Sequence, residues 1–191
     1  MSMPLRLRML CLENTHELFS LITQNKLYLE RWFEWANHVQ SESDVQNFIE
    51  HSLQKNKQNK AFDCGIWLDN CLVGVIGLHE INWRHKEVEL GYWISEEHQG
   101  KGLTKQSILA LMTYAFFEYK LNRIRILCVT DNLKSRFLAE KLGFQLEGIE
   151  RDGYQFLGRF FDVACYSFLA RDFHVAGEET YVQLARQICP S

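Results

Sequence analysis

The sequence predicts an α+β fold, a mixed α/β arrangement with one parallel step. Three observations predict it. Short runs rich in β-branched and aromatic residues begin at Ala61, the first two separated by the turn pair Asp69–Asn70. A long amphipathic pattern over residues 103–119 lies between two further strands, and a crossover of that length makes those strands parallel. The other helical patterns fall before residue 60 and after residue 131.

The elements follow in order. Residues 5–10 (LRLRML) alternate apolar and basic, as a half-buried strand does. Glu13 to Gln24 sets Leu18, Leu21 and Ile22 at helical spacing, and residues 26–37 form an aromatic amphipathic helix. Ser41 to Asp44 offers N-caps for a helix running to about Lys57. AFDCGIWL, LVGVIGLHEI and VELGYWI are strands. In the next helix Ile108, Leu111, Met112, Ala115, Phe116 and Tyr119 form one apolar stripe. RIRILCV is a strand, Asn132 to Leu142 a helix stopped by Gly143, and FQLEGIER and RFFDVACYSFLA two strands with Asp152–Gly153 between them. The prolines, Pro4 and Pro190, sit at the ends, so the reading is one domain over 1–173. Residues 174–191 are a C-terminal extension with room for a helix around Glu178–Ile188.

Composition excludes several classes. With 191 residues, 47% hydrophobic and 24% charged, the chain can bury a sizeable core. A net charge of -3 argues against a general nucleic-acid binder. The N-terminus lacks the apolar stretch of a signal peptide, and no apolar run approaches the ~20 residues of a membrane span. The six cysteines show no C-x-x-C spacing, so no metal site is expected. Reduced thiols and a cytoplasmic location follow.

The chemistry-bearing segment is the junction after VELGYWI. Gly100 and Gly102 sit on a loop that opens a helix near Leu103. Glycines there let the backbone approach a ligand, and the unpaired N–H groups of a helix start favour a phosphate or pyrophosphate. Lys101 and Lys105 add positive charge. Residues 84–141 hold 10 Lys+Arg against 7 Asp+Glu, a surplus suited to one phosphorylated ligand. Neither the Walker A pattern nor the three-glycine dinucleotide fingerprint is present. Taken alone, the same loop also reads as a tight turn with surface lysines.

Gln99-Gly100-Lys101-Gly102-Leu103-Thr104, followed by RIRILCV and by NLKSRFLAEKLGF from Asn132, resembles the acetyl-CoA signature of the GCN5-related N-acetyltransferase (GNAT) superfamily. Thr104 in place of Gly or Ala is similar to the RimJ/RimL-like branch, the ribosomal-protein N-terminal acetyltransferases. The resemblance spans residues 5–173. It implies a twisted, mostly antiparallel sheet with one parallel pair splayed by a bulge, and helices on both faces. It also implies acetyl-CoA between VELGYWI and RIRILCV. The pyrophosphate would lie on Gln99–Thr104, and the pantetheine arm beside Trp93, Ile94 and Ser95. Asn132 would be a further CoA contact.

The reaction it implies is direct acetyl transfer to a neutral amine. Glu89 matches the family's base, and strand alternation puts it on one face with Gly91 and Trp93; read alone, it is equally a solvated strand residue. Glu87, Asp152 and Asp162 are alternative carboxylates. The backbone N–H of Trp93 is the expected oxyanion donor. The family's leaving-group tyrosine is replaced by Ala139, so Ser135 takes that place, with Cys128 nearby as a small buried hydrophobe. Tyr28, Arg31, Trp32, Trp35, His79 and Tyr154 form the expected acceptor wall, though a helical aromatic stripe also suits a core.

The resemblance implies a protein N-terminal α-amine as acceptor, with a ribosomal protein first. A small-molecule amine (antibiotic, aminoacyl conjugate or polyamine) is the nearest alternative, and an inactive acetyl-CoA-binding module is the alternative of another class. No membrane or direct nucleic-acid partner is expected, and a homodimer is compatible with the chain.

Overall fold

The computed structural model describes residues 5–174 and 178–188. Seven strands form one sheet: β1 (Leu5–Met9), β2 (Phe62–Leu68), β3 (Cys71–Asn82), β4 (Glu87–Ile94), β5 (Arg123–Val129), β6 (Gln145–Phe156) and β7 (Arg159–Leu169). Their order is β1-β2-β3-β4-β5-β7-β6, and only β4 and β5 run parallel. The helices are α1 (Thr15–Gln24), α2 (Lys26–Leu29), α3 (Trp35–His38), α4 (Glu42–Lys57), α5 (Leu103–Thr113), α6 (Leu133–Lys141) and α7 (Glu178–Arg186). No described helix is long and apolar enough to cross a membrane.

Two apolar cores flank the sheet. On one face Ile108, Leu111 and Met112 of α5 and Leu184 of α7 pack on Ile76, Leu78, Val88, Leu90 and Ile124. On the other, Leu18 and Ile22 of α1 and Val45 and Ile49 of α4 pack on Trp67, Val75 and Trp93. The last helix thus shares the first core. Local signals hold where they carry their own chemistry. Asp69 and Asn70 both take positive φ, as the tight hairpin turn requires. Asp44 reaches back to the Ser41 amide at 2.8 Å to cap α4, and Gly143 leaves α6 at φ +89°.

Three elements differ from the sequence reading. The aromatic stretch 26–37 is two short helices, because the Glu34 amide donates to the Tyr154 hydroxyl at 3.0 Å instead of continuing the helix. The 103–119 helix ends at Thr113 and closes with a π turn over Tyr114–Glu118, which brings Tyr114 and Tyr119 edge-on to Phe62. Asp152–Gly153 is a bulge rather than the hairpin turn. The Asp152 amide donates to Asp162 Oδ1 there, and the turn comes later at Leu157–Gly158, with φ of 48° and 71°.

The parallel pair is anchored at its base. Arg123 Nε donates to Glu87 Oε2 at 2.6 Å, and its Nη1 to Glu147 Oε1 at 2.7 Å, linking β4, β5 and β6. Hydrogen bonding from Arg123 holds the Glu147 carboxyl down at about 2. A depressed carboxylate stabilises the fold above its ordinary value of 4.5, and that contribution is lost as pH falls toward 2. The pair is partly exposed, so its contribution is at most about 1 kcal/mol. Glu147→Gln should therefore lower stability at pH 7 by that amount and flatten the acid limb of the stability curve between pH 4.5 and 2, as read by urea unfolding across pH.

Candidate active site

β4 and β5 pair only from Glu87↔Arg123 to Glu89↔Arg125. Beyond that, β4 stays on β3 as far as Gly74↔Ile94, and β5 stays on β7 as far as Val129↔Val163. The gap between them is a cleft of roughly 1310 Å³ that passes through the sheet. Residues from both faces of β4 therefore line it: Glu89, Gly91 and Trp93 from one, Leu90, Tyr92 and Ile94 from the other. The bulge implied for β4 is absent. Its register on β3 runs without a shift from His79↔Glu89 to Gly74↔Ile94, and the irregularity lies between His79 and Asn82.

That register decides which amides face the cleft. Ser95 N–H donates to Val73 O, so by antiparallel alternation Trp93 also turns its amide to β3. Trp93 N–H is thus not the oxyanion donor, and Trp93 and Ser95 offer no amide to a pantetheine arm. The amides of Tyr92 and Ile94 point the other way, into the splay. The Ser95 side chain is buried and bonded to His98 Nδ1 at 2.7 Å, off the cleft wall.

At the first mouth, Gly100 and Gly102 take φ of +74° and +77°, with nothing within 4 Å of where a side chain would begin. Gly102 is the N-cap of α5, whose first turn carries no acidic residue. Gln99 Oε1 accepts from Lys134 Nζ at 2.9 Å, which leaves the buried Gln99 Nε2 beside Tyr28 without a well-formed hydrogen bond. Gln99, Gly100 and Thr104 line the cleft; Lys101 and Gly102 stand exposed beside it, and the Leu103 side chain belongs to the core. Asn132 lines it too while its Oδ1 caps α6 on the Ser135 amide at 3.2 Å. An open glycine cradle, an orphaned amide donor and unopposed helix N–H groups fit a pyrophosphate-bearing ligand.

Midway, Ser135 Oγ and the Tyr92 hydroxyl share a hydrogen bond of 3.0 Å. Burial pushes Tyr92 up to about 12, so it stays a proton donor at neutral pH. Ala139 is fully buried, and the phenol beside Ser135 comes from Tyr92 on a strand. Burial also raises Cys128, keeping that thiol neutral.

At the far end, burial raises Glu89 above the ordinary carboxylate range, with the charge of His79 opposing. Burial pushes His79 down, but the hydrogen bond and charge of Asp63 outweigh it and hold His79 above its ordinary value. Of the alternative carboxylates, Glu87 is bound to Arg123, while Asp152 and Asp162 bond each other's strands; none lines the cleft. Asp63, Asp44 and Glu150, which the sequence reading missed, do. Tyr28, Trp32, Trp35 and Tyr154 line the wall with Phe33, and Trp35 packs on Trp93 at 6.1 Å between ring centres. Arg31 is exposed and outside it.

Residues 4–145 match the acetyltransferase (GNAT) domain family. The chain belongs to the GNAT acetyltransferases. The ribosomal-protein-serine acetyltransferase of Escherichia coli K12 is 33% identical over 145 residues, covering 76% of this chain and 80% of that protein. Among solved structures, RimL, the ribosomal L7/L12 alpha-N-protein acetyltransferase in complex with coenzyme A, aligns with a TM-score of 0.85 at 27% identity over 88% of this chain and 95% of its own. The microcin C7 self-immunity acetyltransferase MccE, in complex with acetyl-CoA and AMP, aligns at 0.79 with 30% identity over 83% and 88%. This GNAT protein is an acetyl-CoA-dependent N-acetyltransferase, and the reading as an inactive binding module falls away.

Gly102→Val tests the cradle. A β-branched residue at φ +77° costs about 1–2 kcal/mol and closes the approach to the helix start. The variant should stay folded with a lower melting temperature and bind CoA about tenfold more weakly by calorimetry, a loss of roughly 1.4 kcal/mol.

Proposed function

We propose that the protein acetylates the N-terminal α-amine of a ribosomal protein. The observation that carries this is the likeness to the ribosomal-protein-serine acetyltransferase of E. coli over three quarters of the chain, joined to an acceptor end that opens between the aromatic helices and the β6–β7 hairpin. An α-amine has a reference pKa of ~8 against ~10.4 for lysine, so neutralising it at pH 7 costs about 3 kcal/mol less. That suits a carboxylate such as Glu89, whose affinity for a proton burial raises. We place the activity in the cytoplasm, where Cys11, Cys71, Cys128 and Cys165 would stay the free thiols they are here.

Acetyl-CoA, held by Gln99–Thr104, the outward amide of Ile94 and Asn132, supplies the acetyl thioester. The residues of this chain do the rest. Glu89 takes the proton from the acceptor ammonium. The Tyr92 amide, turned into the splay, stabilises charge on the carbonyl oxygen. The Tyr92–Ser135 hydroxyl pair gives a hydrogen bond to the departing sulfur, and the Trp35–Trp93 wall excludes water on the acceptor side. A positioned base of this kind contributes about 10²–10⁴-fold.

The small-amine reading has one observation in its favour, the acidic set Asp44, Glu89 and Glu150 on the acceptor side of the cleft, which would draw a polycation. Labelled acetyl-CoA, offered with ribosomal proteins, N-terminal peptides, spermidine and amine antibiotics, separates the two. The expected result is one acetyl group on a protein α-amine, located by mass spectrometry; exclusive labelling of a small amine would overturn the proposal. Glu89→Gln should lower kcat by 10²-fold or more (about 2.7 kcal/mol) and move the pH optimum upward, because the amine must then deprotonate unaided.

A further inference from the structure

Behind Glu89 lies a second set of titratable groups to which the acetyl transfer assigns no role. The strand registers place Asp63, Gly77 and Gly91 in one row across β2, β3 and β4, and His79 opposite Glu89 two residues along, on the same face. His79 Nε2 is 2.8 Å from Asp63 Oδ1. The other Asp63 oxygen accepts from Ser52 Oγ at 2.6 Å, and both Asp63 and Ser52 are buried. An ionised carboxylate only accepts hydrogen bonds, so Asp63 fixes the imidazole with its proton on Nε2. Nδ1 is then the free lone pair.

The glycines show where the ring sits. A side chain on Gly77 would begin 2.5 Å from Asp63 Oδ1 and 2.7 Å from His79 Nε2, inside their hydrogen bond. One on Gly91 would begin 3.0 Å from His79 Cε1 and 3.2 Å from Nδ1. The imidazole thus occupies space left by two absent side chains, with Nδ1 over Gly91, which shares its face of β4 with Glu89. Asp63, His79, Glu89 and Gly91 all line the cleft, and the His79 side chain is 39% exposed there.

We propose that Asp63 and His79 are the exit for the acceptor's proton: Asp63 is a positioning residue that holds His79 with Nδ1 over Gly91, on the face of β4 that carries Glu89, and His79 receives, through a water, the proton Glu89 has taken. The inference rests on Glu89 being the base. The steps balance. An N–H bond of the acceptor ammonium breaks and a Glu89 O–H forms. That O–H breaks as the proton passes to a water in the cleft, which gives up one of its own protons so that an Nδ1–H forms, leaving an imidazolium beside the Asp63 carboxylate. The Nδ1–H bond then breaks and the proton passes to bulk water through the cleft mouth, which restores the imidazole with its proton on Nε2 and leaves Glu89 ionised for the next acceptor. Other charges facing the pair are Lys55 of α4 at His79, and Glu80, Arg125 and Glu150 at Glu89.

The test reads His79 directly. The protein is labelled at histidine Cε1, and each ring is titrated by NMR without substrate, with His79→Gln assigning the signal. In the wild type, the Nε2–H tautomer is expected. Asp63→Asn should move the His79 titration to lower pH and mix the tautomers, and Glu89→Gln should also lower it, because the facing negative charge is gone. Kinetics with the best acceptor found above should show kcat reduced about tenfold or more in Asp63→Asn and His79→Gln, with KM for acetyl-CoA unchanged. The acid limb of the Asp63→Asn rate profile should shift to lower pH together with the NMR titration. If Asp63→Asn only lowers the melting temperature and leaves both titration and limb in place, Asp63 is structural and the proposal is wrong; Ser52→Ala, a milder change, repeats the measurement should Asp63→Asn not fold. Wild-type kcat in His79→Gln with a slow Glu89→Gln overturns the relay alone, whereas an unimpaired Glu89→Gln overturns the base on which it rests.

Discussion

Arg123 sits where the sheet changes character. Its guanidinium joins Glu87 on β4 to Glu147 on β6 at the only stretch where β4 and β5 pair, and Arg125 lies 4.0 Å from the same Glu87. Strands held together at one end and claimed by other partners at the other must part. β4 is committed to β3 and β5 to β7, so the backbone groups that a continuous sheet would satisfy internally are left facing a cleft. The cost of those unpaired groups is offset when a ligand with its own donors and acceptors lies between the strands. The glycine cradle, the Tyr92–Ser135 pair and Glu89 are all arranged around that gap.

A second consequence is chemical. In an ordinary sheet the two faces of a strand look into separate cores, and β4 obeys this at its base, where Val88 belongs to one core. Once the neighbouring strand leaves, both faces of β4 border one cavity. Glu89 and Tyr92, on opposite faces by alternation, then reach the same cavity from opposite sides. Their environments push them in compatible directions: burial raises the carboxyl so that it can carry a proton, and burial keeps the phenol protonated so that it can donate one.

Much of this was legible in the chain. Asp69–Asn70, Ser41 with Asp44, Gly143 and the glycine loop Gly100–Gly102 are local signals whose chemistry is complete within a few residues, and each sits where its pattern puts it. The misreadings share a cause. Asp152–Gly153 has the composition of a turn, yet Asp162 from the opposite strand takes its amide and makes a bulge. The 26–37 stretch has helical periodicity, yet Tyr154, 120 positions from Glu34, takes the amide that would have continued it. In both cases a long-range hydrogen bond outweighs local propensity.

The sequence by itself determined the fold class, the glycine loop that opens a helix, the membership of the acetyltransferase family and the presence of Glu89 on the strand that leads to that loop. Periodicity and short motifs encode these, since they depend on neighbours in the chain. Only the tertiary structure decided which amides face the cleft, that Tyr92 and not Trp93 supplies one, that Arg31 and Ser95 stand aside, and that Asp63 reaches His79. Those facts depend on strand register and on side chains brought together across the sheet. A one-residue change of register reverses every amide and side chain on a strand, and no periodic pattern within one segment records its pairing with another.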